Sequence, residues 1–166
     1  MSGGAERAMR VAILTVSDSV SAGKNEDKSG KSLAARCQEL KWNVVASSIV
    51  PDDAGAIQAF LREISDANRA DVILTAGGTG LGPRDITPEA TVAVMDRVVP
   101  GFPEMMRSAG GAITQRAWLS RAAAGIRGRT IVINLPGSPG GARESLDVVA
   151  DLLPHAVAVL HGARHD

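Results

Sequence analysis

The stretch Thr75-Ala76-Gly77-Gly78-Thr79-Gly80-Leu81-Gly82-Pro83-Arg84-Asp85-Ile86-Thr87-Pro88-Glu89-Ala90-Thr91 follows the apolar run Val72-Ile73-Leu74. It places four glycines, an arginine and a carboxylate in one turn, and Pro88 then opens a helical segment with Thr87 as its expected N-cap. Glycine-rich backbone at the end of a strand lets an anion approach main-chain N–H groups, and a helix N-terminus adds positive potential. Asp85 does not suit a pure anion cradle. A carboxylate beside phosphates points to a bridging metal ion, so the loop reads as machinery for a nucleotide or phosphate ester.

Outward from this loop, strand-like and helix-like segments alternate. Val11 to Val16 is a continuous apolar, β-branched run, as expected of a strand buried on both faces of a parallel sheet. Ser29 to Leu40 has helical spacing, Val44 to Val50 reads as a strand ended by Pro51, and Asp53 to Ala67 carries Ile57, Phe60, Leu61 and Ile64 on one helical face. Asp71 to Thr75 forms the third strand. Helix is expected again over Pro88 to Arg97 and from Glu104 to Ala109, then a strand at Thr130 to Leu135 and one closing helix from about Ala142 to Leu160. The alternation predicts a three-layer α/β/α fold with a mostly parallel sheet, in a single domain over residues 10–166 after a flexible leader at 1–9.

Ligands of such sheets sit outside the carboxyl ends of the strands. Four strand ends here carry unusual residues: Ser17-Asp18-Ser19, Pro51-Asp52-Asp53, Gly77 to Asp85, and Pro136-Gly137-Ser138-Pro139-Gly140-Gly141. Asp53 is a natural N-cap for the helix that follows, which leaves Asp52 as the metal candidate. Pro136 to Gly141 resembles a second phosphate loop feeding a helix. Two familiar nucleotide signatures fail. Gly30-Lys31-Ser32 lacks the earlier glycine of a P-loop, where Asn25 stands, and Gly78-Thr79-Gly80 lacks the last glycine of a dinucleotide fingerprint, where Pro83 stands.

Composition removes several classes of function. Eighteen basic and eighteen acidic residues balance, so no general attraction to nucleic acid or membrane is expected. With no tyrosine and 2% aromatics, a base-stacking surface is not expected either. The single Cys37 rules out an internal disulfide, sits on an apolar helical face, and suits a cytoplasmic protein. No apolar run approaches the roughly 18 residues of a membrane span. Arg121, Arg127 and Arg129 read as solvated surface, and His161 with His165 as an exposed tail. No well-placed histidine or cysteine supports triad-type acyl transfer. A phosphate monoester, largely dianionic near neutral pH, needs no strong base as a nucleophile, only positioning and charge neutralisation.

These residues resemble the molybdopterin adenylyltransferases of molybdenum cofactor synthesis. The matching pieces are Thr15-Val16-Ser17-Asp18, Ser29-Gly30, Val50-Pro51-Asp52-Asp53, Gly77 to Gly80 and Pro83 to Thr91. Further matches are Pro100-Gly101-Phe102, Leu119-Ser120-Arg121, Ala124 to Arg127, and Asn134-Leu135-Pro136-Gly137-Ser138-Pro139. The resemblance implies a molybdopterin-binding α/β domain, commonly a homotrimer, that uses Mg²⁺ and ATP. The terminal phosphate of molybdopterin would attack the α-phosphorus of ATP and release pyrophosphate. By motif position Asp52 and Asp85 would be catalytic, acting through the metal. Gly77, Gly78, Thr79 and Gly80, with Pro136, Gly137, Ser138 and Pro139, would hold nucleotide and phosphates. Ser17, Asp18, Ser29, Gly30 and Ser120 would surround the substrate. Asp53 departs from the glutamate often expected there.

The resemblance also implies a transient contact with a molybdate-insertion protein, and because the sequence ends soon after its last strand a domain without a fused partner is expected. A non-catalytic pterin carrier and a hydrolase of nucleotide pyrophosphates are the alternatives on the same scaffold.

Overall fold

The computed structural model describes residues 7–163. Strands β1 (Arg10–Val16), β2 (Asn43–Val50), β3 (Val72–Ala76), β4 (Arg97–Val98), β5 (Ala124–Arg127) and β6 (Thr130–Leu135) form one sheet in the order β2-β1-β3-β6-β5-β4. The pairs β1–β2, β1–β3 and β3–β6 are parallel, whereas β6–β5 and β5–β4 are antiparallel. The mostly parallel sheet expected from sequence is therefore present with an antiparallel edge. Helices α1 (Asp18–Ser21), α2 (Lys28–Glu39), α3 (Ala54–Asp66), α4 (Thr87–Val92), α5 (Gly101–Gly111), α6 (Pro139–Val149) and α7 (Leu153–Leu160) flank it.

The central strands explain the layers. Val11 and Ile13 of β1 share one cluster with Val72 and Leu74 of β3, Leu33 and Cys37 of α2, Met106 of α5 and Leu146 of α6. Ala12, Leu14 and Val16 face the other way, onto Ile57, Leu61 and Ile64 of α3 and Ala90 of α4. Alternate residues of a strand point to opposite faces, so a strand covered on both sides must be apolar throughout. Each Val, Ile or Leu buried there contributes about 1.5–3 kcal/mol. On edge strand β2, Ser47 and Ile49 are exposed, and a bulge inserts Val45 between the pairs Val11–Val44 and Ala12–Ala46.

Several boundaries differ from the sequence expectations. Helix α4 ends at Val92, residues 93–96 turn away from it, and Arg97, the last residue of the expected helix, opens β4 instead. Strand β5 has no apolar alternation to reveal it, and its Gly125 lets Met95 and Arg97 pack against the backbone. The closing helix is two, α6 and α7, with Pro154 at the start of the second. His161 is not an exposed tail: its ring nitrogen pairs with Arg129 O at 2.9 Å. Of the expected leader, residues 1–6 lie outside the described residues, while Met9 is buried in the core. His165 also lies outside them. Among the described residues no helix is long and apolar enough to cross a membrane.

Candidate active site

Because β2 and β3 lie on either side of β1, their connections diverge at the carboxyl end of β1. A crevice opens at such a reversal. The cavity found there measures about 340 Å³ and is lined by Ser17, Lys28, Ser29, Asp52, Gly77, Gly78, Asp85 and Gly137 among others. Residues from all four unusual strand ends thus meet at one place.

Asp18 and Asp52 clasp one another across the strand ends. Asp18 N donates to Asp52 Oδ2 at 3.1 Å, and Asp52 N donates to Asp18 Oδ1 at 3.0 Å. Arg84 forks onto Asp18 through Nε at 2.6 Å and Nη2 at 3.1 Å, and its Nη2 also reaches Asp52 O at 3.2 Å. The guanidinium holds the Asp18 carboxyl below the usual carboxylate range, helped by the Asp52 N–H. Asp52 behaves in the opposite way. Burial pushes its carboxyl up, and the negative charges of Asp18 and Asp85 add to that against the Asp18 N–H and Arg84. Such a carboxylate is stabilised by a cation placed beside it. Asp53 caps α3 through Ala56 N at 2.8 Å, as expected, and leaves Asp52 to the cavity.

The glycine loop takes backbone conformations that side chains oppose. Gly77 has φ +110° and Gly78 has φ +70°, and a Cβ on Gly78 would overlap Thr87 Oγ1 and lie 3.1 Å from Asp52 Oδ1. Asp85 folds back on the loop, accepting from Gly82 N at 2.9 Å. Thr87 is not the N-cap expected of it. Ile86 takes that position, and Thr87 lies inside the first turn with a buried hydroxyl that has no hydrogen-bond partner.

The remaining residues come from two helix starts. Asp27 caps α2 through Gly30 N at 2.9 Å and accepts from Thr15 Oγ1 at 3.0 Å, which packs Gly30 against both side chains. Ser29 Oγ donates to Gly137 O, tying α2 to the loop after β6. Ser138 caps α6 through Gly141 N at 3.2 Å. Gly137 packs against the Gly77 backbone, so the two glycine-bearing loops touch.

A second, more apolar recess of about 530 Å³ lies between α5, α6 and a short 3-10 helix at Gln115–Leu119. Thr79, Gly80, Ser120 and Pro136 line it. The expected substrate set is therefore divided. Ser17 and Ser29 line the 340 Å³ cavity, Ser120 lines the 530 Å³ recess, and Gly30 lines a third hollow beside β2. The glycine loop forms the partition between the first two.

Residues 12–155 match the family model described as a probable molybdopterin binding domain. The chain belongs to that family. It is 38% identical over 156 residues to a molybdopterin adenylyltransferase of Helicobacter pylori, covering 93% of this chain and 89% of the relative. A molybdopterin adenylyltransferase of Haemophilus influenzae is 36% identical over 145 residues, which cover 86% and 74% of the two chains. Among solved structures, the molybdopterin biosynthesis enzyme MoaB of Thermus thermophilus superimposes with a TM-score of 0.88 at 47% identity, covering 95% of this chain and 99% of its own.

Four residues at this site carry no role there in the sequence analysis. Asp27 and Arg84 sit beside expected residues, but nothing in their spacing names their partners. Thr87 was expected to be a cap. Arg121 read as surface, yet its guanidinium reaches Gly80 O, Asp85 O and Glu89. The Leu119-Ser120-Arg121 motif was the only signal available for it.

Proposed function

We infer that this protein is a molybdopterin adenylyltransferase, and we propose that Asp52 and Asp85 form its catalytic centre. One observation carries the assignment of the centre: two carboxylates from separate strand ends face a single cavity walled by Gly77 and Gly78. Among the described residues no cluster of three or more His, Cys, Asp and Glu side chains is placed to hold a metal ion. That donor set fits Mg²⁺, which is commonly bound by one or two carboxylates plus substrate phosphates. Asp52 and Asp85 would hold the ion, and its charge would offset the charge on the reacting phosphates.

In the proposed reaction an oxygen of the molybdopterin phosphate forms a bond to the α-phosphorus of ATP. The bond from that phosphorus to the bridging α–β oxygen breaks, and its electron pair leaves with pyrophosphate. The nucleophile is already anionic, so no side chain has to remove a proton from it. Gly77, Gly78, Thr79 and Gly80, with Pro136 to Pro139 and the start of α6, would hold the nucleotide and its phosphates. Lys28 and Arg84 would add positive charge at the mouth. Ser17, Asp18, Ser29, Gly30 and Ser120 are proposed around the substrates, and the larger recess supplies apolar walls for a ring system.

A cytoplasmic homotrimer that passes its product to a molybdate-insertion protein completes the proposal. The exposed side chains of Ile113, Trp118 and Leu119 offer apolar surface for self-association. Light scattering that gave a monomer mass would remove the trimer.

The central test mixes purified protein with Mg²⁺, ATP and molybdopterin and follows pyrophosphate release. Wild type is expected to turn over, and Asp85→Asn is expected to fold and bind pterin while losing most turnover. Pterin binding without any turnover by wild type would favour a carrier instead.

A further inference from the structure

Arg121 lies on the connection between the 3-10 helix and β5, and it lines neither the 340 Å³ cavity nor the 530 Å³ recess. Its guanidinium nevertheless spends its donors on the glycine loop and α4. Nε donates to Gly80 O at 2.8 Å, Nη2 donates to Asp85 O at 2.6 Å, and Nη1 pairs with Glu89 Oε2 at 2.6 Å. The main chain joins in, because Arg121 N donates to Thr79 O at 2.8 Å. Four contacts from one residue therefore span positions 79 to 89.

The base of this clamp is itself fixed. Arg107 of α5 donates to Ser120 O and Ala122 O, the carbonyls on either side of Arg121, at 3.2 and 3.3 Å. Fully buried Asn134 of β6 accepts from Ala123 N at 3.1 Å and donates its own N–H to Ala123 O at 3.0 Å. The Asn134 amide also reaches Thr75 Oγ1 and Thr91 Oγ1, tying the same strand to β3 and α4. Arg84 ties the same loop to the ends of β1 and β2 through Asp18 and Asp52 O. The loop's internal bonds are the Gly82–Asp85 turn and the Thr87 N to Gly78 O link.

We propose that Arg121 is a positioning residue for the reaction: it holds the main chain of the Gly80–Asp85 turn, and through it the Asp85 carboxylate, without touching substrate. The planar fork of arginine places donors on three separate nitrogens and so meets three spaced acceptors, whereas the three donors of lysine share one nitrogen. Losing two of the three lets the turn relax, and a displacement of about 1 Å at a reacting centre can cost on the order of 100-fold in rate. The proposal rests on the assignment of Asp85 to the catalytic centre.

The test is a double-mutant cycle on the full chain, with Arg121→Lys, Asp85→Asn and the pair assayed for pyrophosphate release and Mg²⁺ dependence. Arg121→Lys is expected to lower kcat by about 30- to 100-fold. It should raise the Mg²⁺ needed for half-maximal rate about tenfold and leave KM for molybdopterin within about twofold, since the effect passes through Asp85. In the Asp85→Asn background the same change should cost less than about twofold, because residues acting through one another are not additive. An undiminished kcat in Arg121→Lys overturns the proposal. So do losses that multiply in the double variant, or a loss confined to the KM of one substrate. Should Asp85→Asn turn over like wild type, the Asp85 assignment itself fails, an outcome distinct from the others. If Arg121→Lys does not fold, Glu89→Gln replaces it, since it loosens one arm of the clamp. A smaller kcat loss that vanishes beside Asp85→Asn supports the proposal, and a multiplying loss or none sinks it.

Discussion

Gly78→Ala strikes the partition of the site at a position where the cost can be worked from the structure. At φ +70° an L-residue pays about 1–2 kcal/mol for the left-handed backbone alone. The new methyl would overlap Thr87 Oγ1, a fully buried atom on the first turn of α4, and would sit 3.2 Å from Thr87 Cβ. Forcing an extra carbon into a packed site costs about 1–3 kcal/mol more. The sum, about 2–5 kcal/mol, is a large part of the roughly 5–15 kcal/mol that holds a domain together. For a chain of this size it lowers the melting temperature by about 5–20 °C. Thr87→Ala separates the two contributions. It removes a hydroxyl that has no partner together with a buried methyl, so alone it costs about 1 kcal/mol. Combined with Gly78→Ala it should recover about 1–3 kcal/mol of overlap while the backbone cost stays. Thermal melts and urea midpoints of the four proteins read both contributions. A Gly78→Ala protein melting within about 2 °C of wild type, or no recovery in the double variant, would refute this reasoning.

Two further expectations concern charge. Asp52 has a folded-state pKa above its ordinary 3.8, so it favours the folded state when protonated, and that contribution fades as pH rises through the window between 3.8 and the raised value. Metal binding needs the ionised form, so the acid limb of kcat/KM should lie above pH 3.8 and move lower in Asp18→Asn, which removes one of the charges raising it. An unmoved limb counts against the pairing. At the opposite end of the sheet, burial raises the Asp71 carboxyl, but hydrogen bonds and charge from Arg10 overcome it and leave the pKa lowered. Asp71→Asn should cost about 1–3 kcal/mol in urea unfolding at pH 7. A depressed carboxylate contributes stability above its unfolded pKa and loses it as pH falls through the folded one, so variant and wild type should converge as pH drops below 3.8. Equal midpoints at pH 7 would show that the Arg10 pairing adds nothing.

What was legible in the sequence follows from which physical signals act locally. Strands β1, β3 and β6 are predominantly apolar because both their faces are covered, and that pattern is visible without a structure. Capping by Asp53 is a short-range hydrogen bond, so a reading along the chain can find it. Strands β4 and β5 were invisible, being short and without apolar alternation. The expectation for Thr87 failed because Pro88 marks the first turn without saying which residue precedes it. Asp52 and Asp85 stood out as carboxylates at glycine-rich strand ends. The contacts of Arg84 and Arg121 did not, because their partners lie 66 and 36 positions away in the chain and no local pattern encodes such a distance.

The clasp between Asp18 and Asp52 begins in strand register. Val16 pairs with Val50, and each aspartate follows its valine by two residues, so the clasp extends the β1–β2 ladder by one side-chain rung. Asp52 therefore inherits its place from counting along β2, and one residue more or fewer upstream would displace it by about 3.3 Å. Val45 is where that count is already adjusted, since β2 spends one extra residue there that β1 does not match. Length changes in β2 are thus absorbed at the bulge or passed on to the carboxylate, which makes the bulge of an edge strand a determinant of where the chemistry sits.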